Sequence, residues 1–229
     1  MMAGEVELII DYPSKIASML LENAIDVGLV PVAVIPEMKE HHIIADYCIG
    51  CDGEVASVCL FSEVPLHKIE KILLDYQSRT SIDLLKILVA QYWKISPAFE
   101  ETSGEFQSQV SGTTAALIIG DRALKQRKIS TYIYDLGLEW KRFTGLPFVF
   151  AAWVSNKKLD PSFITTFNEV NAFGLRHIEQ IVSQNSFQSF NLQKYYTQYI
   201  SYSFDEGKRK SLKFFLGKLI KEPGRCVNI

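Results

Sequence analysis

The sequence has 229 residues, of which 48% are hydrophobic and 22% charged, and its formal net charge is -2. This usage is typical of a globular protein and excludes a disordered or fibrous chain. A near-neutral charge without a large Lys/Arg cluster argues against a nucleic-acid-binding protein, which needs a basic face to contact phosphates. The apolar runs are far shorter than the roughly 20 residues that span a bilayer, so no membrane segment is predicted.

The first part of the chain predicts strands joined by a helix. Residues 5–10 have the composition of a strand, and Tyr12-Pro13-Ser14 precedes a run with apolar residues at helical spacing. The next strand, which begins at Asp26, ends at Pro31, because proline has no N–H to donate to a sheet. Two further strands are predicted at residues 43–49 and 56–62.

The middle of the chain repeats this alternation. A strand at 69–74 is closed by Asp75, and a helix follows Ser78-Arg79-Thr80-Ser81. Further strands are predicted around Phe99 and at 115–119, 131–134 and 147–154, with a short helix at 122–126 and an irregular segment or one helical turn at 135–145. Alternating strands and helices predict an α/β protein with mostly parallel sheets flanked by helices.

From Pro161 onward the sequence predicts helices alone. Phe163, Phe167 and Val170 recur at helical spacing, and Tyr195, Tyr199 and Tyr202 form a further apolar face. Such stripes are typical of helices that pack on a core.

Four cysteines occur, and Cys48-Ile-Gly-Cys51 has the spacing of a metal or redox pair. A zinc site would need a second pair or two spaced histidines, whereas His41 and His42 are adjacent. A redox pair is expected at a helix start, but this pair follows a strand. We therefore interpret the cysteines, Cys59 and Cys226 included, as structural, and we expect no metal and no cofactor. The histidines at 41, 42, 67 and 177 are interpreted as surface or packing residues.

In open α/β sheets, ligands bind beyond the carboxyl ends of the strands, where helix N-termini present free N–H groups. This rule selects a set of candidate ligand-binding residues: Pro31, Ser57, Ser78, Arg79, Thr80, Ser81, Gly120, Asp121, Thr144, Gly145 and Leu146.

Two interpretations stay open both for the segment 78–81 and for Asp121. The segment 78–81 places three hydroxyls and a guanidinium at a helix start, which suits a carboxylate. One hydroxyl there is also the ordinary N-cap of a helix. Asp121 is a candidate general base, or a loop residue that bonds nearby backbone N–H groups. No nucleophile elbow, phosphate-binding loop or dinucleotide fingerprint occurs, so triad hydrolysis and nucleotide chemistry are not indicated.

Several segments together resemble a known family. They are Asp135-Leu136-Gly137-Leu138-Glu139-Trp140, Thr144-Gly145-Leu146-Pro147-Phe148-Val149-Phe150-Ala151, Asp26-Val27-Gly28-Leu29-Val30-Pro31, Gly53-Glu54-Val55 with Ser57-Val58, Asp75 with the 78–81 segment, and Ile119-Gly120-Asp121. The chain resembles the chorismate dehydratase family of the futalosine route to menaquinone.

The resemblance implies a two-lobed fold like a type II periplasmic binding protein, used as an enzyme. Lobe one would hold residues 1–62 and 148–229, with the C-terminal helices packed on it, and lobe two residues 63–147. The implied function is a carbon–oxygen lyase that dehydrates chorismate, with this small molecule as its partner. Asp121 would be the candidate base and the other selected residues would bind substrate. Two alternatives stay open: the paralogous 1,4-dihydroxy-6-naphthoate synthase, and a non-catalytic module that binds a small carboxylate.

The front of the chain departs from the family pattern. Family members usually begin with a further strand and a Ser-Tyr-x-Asn-Thr loop, and neither is found ahead of Glu5 here. We therefore expect a gap in the first sheet, unless a natural beginning is absent or another segment fills it. The first residues have no basic region followed by an apolar core, so no secretory signal is predicted and a cytoplasmic protein is expected.

Overall fold

The structure is a computed structural model that describes residues 2, 4–185 and 187–219. The prediction for Cys226 therefore lies outside the described residues. The chain divides into two compact units. The first comprises Met1–Gly50 with Val149–Ile229, and the second comprises Cys51–Phe148.

The first unit contains one sheet and most of the helices. Its four strands lie in the order β1-β8-β2-β9, and β1 with β8 and β2 with β9 are antiparallel. The strands are β1 Val27–Pro31, β2 His42–Cys51, β8 Phe148–Ser155 and β9 Ser201–Ser203, and the helices are α1 Pro13–Leu21, α5 Pro161–Arg176, α6 Ile178–Ser183, α7 Leu192–Lys194 and α8 Glu206–Leu219.

Helix α1 packs on β1 through Ile16, Ala17 and Leu20, which are buried. Pro13 occupies the first turn, where its missing N–H costs nothing. The approach is close at Gly28, because a Cβ there would lie 2.9 Å from Cγ2 of Ile16. A glycine in β1 therefore sets how closely the helix lies on the strand.

Two predictions for the first unit are wrong. Residues 5–10 form no strand, and Leu8 and Ile10 are 77% and 86% exposed. Strand propensity depends on neighbouring strands, and the sheet order in the described chain gives this segment none. The C-terminal region is also not helical throughout, since Tyr202 lies in β9, which pairs with β2.

The second unit contains a five-stranded sheet in the order β5-β4-β6-β3-β7. Strand β4 is parallel to β5 and β6, whereas β3 is antiparallel to β6 and β7. The strands are β3 Val58–Ser62, β4 Lys71–Leu74, β5 Ala98–Glu101, β6 Thr114–Ile119 and β7 Tyr132–Asp135, and the helices are α2 Arg79–Ile87, α3 Gly120–Gln126 and α4 Leu136–Thr144. The predicted α/β class is confirmed, although the sheets are mixed where mostly parallel sheets were predicted, since β1 with β8, β2 with β9, and β3 with both β6 and β7 are antiparallel.

The core of the second unit lies on the buried strands. It includes Cys59 and Phe61 of β3 with Leu73 of β4, and Phe106 and Ile118 pack in the same cluster. The strands predicted at 56–62, 69–74 and 115–119 are found at β3, β4 and β6. Continuous apolar runs in these strands therefore correspond to burial on both faces.

Helix α4 is longer than the sequence analysis predicted for residues 135–145. Asp135 is its N-cap and accepts a hydrogen bond from the N–H of Leu138 at 3.1 Å. Gly145 ends the helix with a φ of 74°, which glycine adopts without steric cost. The two caps define a nine-residue helix where an irregular segment or one helical turn was predicted.

Candidate functional site

One edge of the five-stranded sheet gathers several of the predicted residues. Strands β4 and β6 are parallel, so their carboxyl ends meet at this edge, which we call the carboxyl edge. Strand β3 runs the other way, and its first residues therefore lie at the same edge. The contact is direct, because the N–H of Gly120, after β6, donates to the carbonyl of Ser57, before β3, at 2.8 Å.

The segment 78–81 begins helix α2 at the carboxyl edge. Ser78 is the N-cap, and its Oγ accepts from the N–H of Ser81 at 3.2 Å and donates to Oγ of Ser81 at 2.7 Å. Thr80 and Ser81 are buried, and Arg79 is half-buried. Ser78 thus serves as a helix cap, and the start of α2 supplies N–H groups and positive helix dipole to this edge.

Asp75, directly after β4, organises the carboxyl edge although it is fully buried. Its carboxylate accepts from the N–H of Ile119 at 3.1 Å and from the N–H of Gln77 at 3.1 Å. Arg122 donates to both of its oxygens, at 2.8 and 2.7 Å, and to Oε1 of Gln77 at 2.9 Å. This carboxylate therefore joins the ends of β4 and β6.

Arg122 also contacts aromatic rings. Its guanidinium carbon lies 5.6 Å from the ring centroid of Tyr76 and 5.7 Å from that of Phe106. These distances suit cation–π contacts, which add to the ion pair with Asp75 in fixing the side chain. The side chain of Arg122 is therefore fixed at the carboxyl edge, where its charge is paired with that of Asp75.

Gly120 and Asp121 begin helix α3. Gly120 has a φ of 63° and makes the turn out of β6. Asp121 is exposed in the first turn of the helix. The structure thus places Asp121 at the carboxyl edge, and its role as a base stays a prediction.

The segment 144–146 lies at the other end of α4 from Asp135. Oγ1 of Thr144 donates to the carbonyl of Trp140 at 2.8 Å and accepts from the N–H of Leu146 at 3.1 Å. Gly145 donates its N–H to the carbonyl of Lys141 at 2.8 Å. These groups cap the helix, and substrate binding by them stays a prediction.

Pro31 belongs to the first unit. It is the last residue of β1, is buried and lies opposite Ala151 of β8. The strand ends here, as predicted, and a short 3-10 helix, Val32–Glu37, follows. A contact of Pro31 with substrate stays a prediction.

The sequence analysis did not select Asp75, Arg122 and Asp135 of the second unit as site candidates, although the two aspartates lie in the family segments. The available signal for Asp75 was a carboxylate placed directly after a buried strand, whereas Asp135 is the last residue of β7, which is mostly not buried. Asp135 is buried, and burial raises the pKa of its carboxyl while backbone N–H donors and Arg127 act in the opposite direction.

Among the described residues, the three cysteines are buried thiols rather than a reactive pair. Cys48 and Cys51 lie in β2, and Cys59 lies in β3. Burial raises the pKa of Cys48 to about 12, and it also raises the pKa of Cys59. In the described part of the chain, no three His, Cys, Asp or Glu side chains form a group able to hold a metal ion.

A family comparison assigns the chain. The model of the menaquinone biosynthesis family matches residues 1–221. The chain belongs to the menaquinone biosynthesis family. The chorismate dehydratase of Thermus thermophilus is 25% identical to it over 227 residues, which cover 89% of this chain and 83% of the relative.

Solved structures confirm the fold expected of this member of the menaquinone biosynthesis family. A protein from Archaeoglobus fulgidus aligns with a TM-score of 0.71 and 15% identity, covering 95% of this chain and 86% of its own. The periplasmic aliphatic sulphonate-binding protein of Escherichia coli aligns with a TM-score of 0.55 and 13% identity, covering 92% and 76%. At these identities the likeness concerns the fold alone. Across the described residues, no helix has the length and apolar character needed to cross a membrane.

Proposed function

We propose that the protein is a carbon–oxygen lyase that dehydrates chorismate to 3-[(1-carboxyvinyl)oxy]benzoate in menaquinone biosynthesis. The observation that carries the proposal is the relative named chorismate dehydratase, which is similar over 89% of this chain. The carboxyl edge adds a physical argument, because the N-terminus of α2 and the guanidinium of Arg79 suit a substrate carboxylate.

The reaction needs a proton removed and a hydroxyl expelled. The proton leaves the ring carbon that carries the enolpyruvyl ether, and the hydroxyl leaves from the neighbouring carbon. Negative charge develops through the diene onto the ring carboxylate, so donors placed there stabilise the transition state. Aromatisation of the ring drives the step, and the protein then has to supply mainly orientation and a base.

The start of α2 is the proposed carboxylate site. The N–H groups of the first turn of an α-helix have no partner within the helix, and the helix dipole favours an anion there. Arg79 is the first residue of α2 and is half-buried, and a guanidinium is a donor that suits the geometry of a carboxylate. Ser78 shapes this start through its bonds to Ser81, and Ser57 lies at the same edge next to Gly120.

Two groups are candidates for the base. Asp121 lies in the first turn of α3 at the carboxyl edge and is exposed. The side-chain carboxylate of the substrate is the other candidate, because the enol carbon that carries it is bonded to the ether oxygen, which is attached to the ring carbon that loses the proton. Asp121→Asn separates them, since a protein base would be lost in this variant and a substrate base would not.

The direct test is to mix the protein with chorismate and follow the aromatic product by ultraviolet absorbance and NMR. Turnover without an added cofactor supports the proposal. Binding without turnover would instead favour a module that binds a small carboxylate, a role compatible with the solute-binding fold. A protein that neither binds nor converts chorismate would overturn the proposal.

A further inference from the structure

The turn ahead of β3, residues Val55 to Ser57, is fixed by a buried carboxylate 80 residues further along the chain. The N–H of Val55 donates to both oxygens of Asp135, at 3.1 and 3.2 Å, and the N–H of Ala56 donates to Oδ2 at 2.7 Å. Asp135 is 4% exposed, so water does not compete for these bonds. Both N–H groups ahead of Ser57 are therefore held by one side chain.

The carbonyl groups of the same turn are also bonded. Nη1 of Arg127 donates to the carbonyl of Ala56 at 3.3 Å, and the N–H of Ser57 donates to the carbonyl of Val55 at 2.8 Å. The carbonyl of Ser57 accepts from Gly120 at 2.8 Å. Together with the two bonds to Asp135, these contacts satisfy every backbone donor and acceptor of the turn.

Ala56 adopts a backbone conformation that has to be enforced. It has a φ of 63°, in the left-handed region, and it is fully buried. A residue with a Cβ is strained there and keeps this conformation only where its surroundings impose it. Such outliers concentrate at binding and catalytic sites, and this one directly precedes Ser57.

The chemistry of the turn specifies a carboxylate at position 135. Asp135 caps α4 through Leu138, which needs only one acceptor atom. It must also accept from two further N–H groups, and an ionised carboxylate offers two acceptor oxygens and no donor. An asparagine would turn an NH2 group toward backbone donors. Helix capping alone thus leaves the two bonds to the turn unexplained.

We propose that Asp135, assisted by Arg127, is a positioning residue that holds Ser57 against Gly120 so that Ser57 can recognise a carboxylate-bearing substrate. The proposal rests on the function proposed above and adds the group that sets the geometry of one predicted binding residue. Asp135 acts through the turn and does not itself touch substrate.

The test is a double-mutant cycle in chorismate turnover with Ser57→Ala, Asp135→Asn and the combined variant. We expect Asp135→Asn to raise KM roughly tenfold with a smaller change in kcat, because it misplaces a binding group. Since Asp135 acts through Ser57, the combined variant should be no worse than the more affected single variant. Fully additive effects would overturn the positioning role.

Two further variants keep the test decisive. Asp160→Asn changes an exposed N-cap aspartate of α5 that bonds Ser162, so KM should be unchanged. Arg127→Met removes the bond to the carbonyl of Ala56 and leaves the carboxylate in place. Arg127→Met should raise KM less than Asp135→Asn does. Its effect on KM should again not add to that of Ser57→Ala. This variant replaces Asp135→Asn in the cycle if Asp135→Asn does not fold.

A readout independent of catalysis separates this proposal from the proposed function. Amide hydrogen exchange at Val55 and Ala56 should accelerate in Asp135→Asn, while exchange in the strands β4 and β6 stays slow. If the protection of both amides from hydrogen exchange were unchanged, Asp135 would not fix the turn, even if the enzyme were active. If exchange were faster in Asp135→Asn but the protein neither bound nor converted chorismate, Asp135 would fix the turn, and its proposed role in substrate recognition would be wrong.

Discussion

Arg122 donates from one guanidinium nitrogen to both carboxylate oxygens of Asp75, and this ion pair ties the end of β4 to the first turn of α3. Asp75 is fully buried, and the side chain of Arg122 is 24% exposed. The same carboxylate accepts from two backbone N–H groups. The side chain of Asp75 therefore accepts four hydrogen bonds at the carboxyl edge.

Loss of this carboxylate should strongly destabilise the protein. Asp75→Ala leaves a partly buried guanidinium and two N–H groups without their acceptor, and we expect a loss of about 3 kcal/mol in the free energy of unfolding. Urea denaturation followed by circular dichroism measures it. Glu100→Gln, which breaks the exposed pair with Lys71, is the control and should cost less than about 1 kcal/mol. Equal losses in the two variants would contradict the role of Asp75.

Gly137 should not tolerate a methyl group. A Cβ there would collide with Sγ of Cys51 and would lie 2.7 Å from the carbonyl oxygen of Gly53, a backbone atom that cannot move freely. We expect Gly137→Ala to destabilise the protein by about 2 kcal/mol, seen as a lower Tm. Gly174→Ala in α5 is the matched control, since nothing lies within 4 Å of its Cβ position. Gly174→Ala should stabilise the helix by about 0.5 to 1 kcal/mol. A higher Tm for both variants would show that Gly137 does not lie close to Cys51 and Gly53.

Buried thiols should resist alkylation in the folded protein. Burial raises the pKa of Cys48 from 9.0 to about 12, so iodoacetamide at pH 8 should label it slowly until urea unfolds the chain. The unfolded thiol ionises first as the pH rises above 9, so this group stabilises the fold at lower pH and its contribution declines towards pH 12. Mass spectrometry of the Cys48 and Cys59 peptides measures the labelling. Equal labelling of native and unfolded protein would show that these thiols are accessible.

Arg79→Ala should impair chorismate turnover severely. Removal of a charged donor from the proposed carboxylate site is expected to lower kcat/KM roughly a hundredfold. Arg176→Ala, at the exposed end of α5, removes the same charge from the chain and should leave kcat/KM unchanged. If Arg79→Ala kept both the affinity and the turnover of the parent protein, the prediction that Arg79 binds the substrate would be wrong.

The local features of this protein could be predicted from the sequence alone. The apolar runs of β3, β4 and β6, the Ser78 cap of α2 and the end of β1 at Pro31 all follow from residues that are close in sequence. The family segments predicted the fold, and the family match and the solved structures confirm it. Side-chain periodicity and capping act over one or two turns, which is why sequence alone can determine them.

Features that depend on residues far apart in the sequence could not be predicted without the folded structure. Strand β9 forms because β2 lies beside it, and residues 5–10 stay exposed although their composition is that of a strand. Asp75 bonds the N–H of Ile119, 44 residues away, and Asp135 bonds that of Val55, 80 residues away. No local pattern encodes such pairs, because the free energy of a buried carboxylate depends on which donors the fold brings to it.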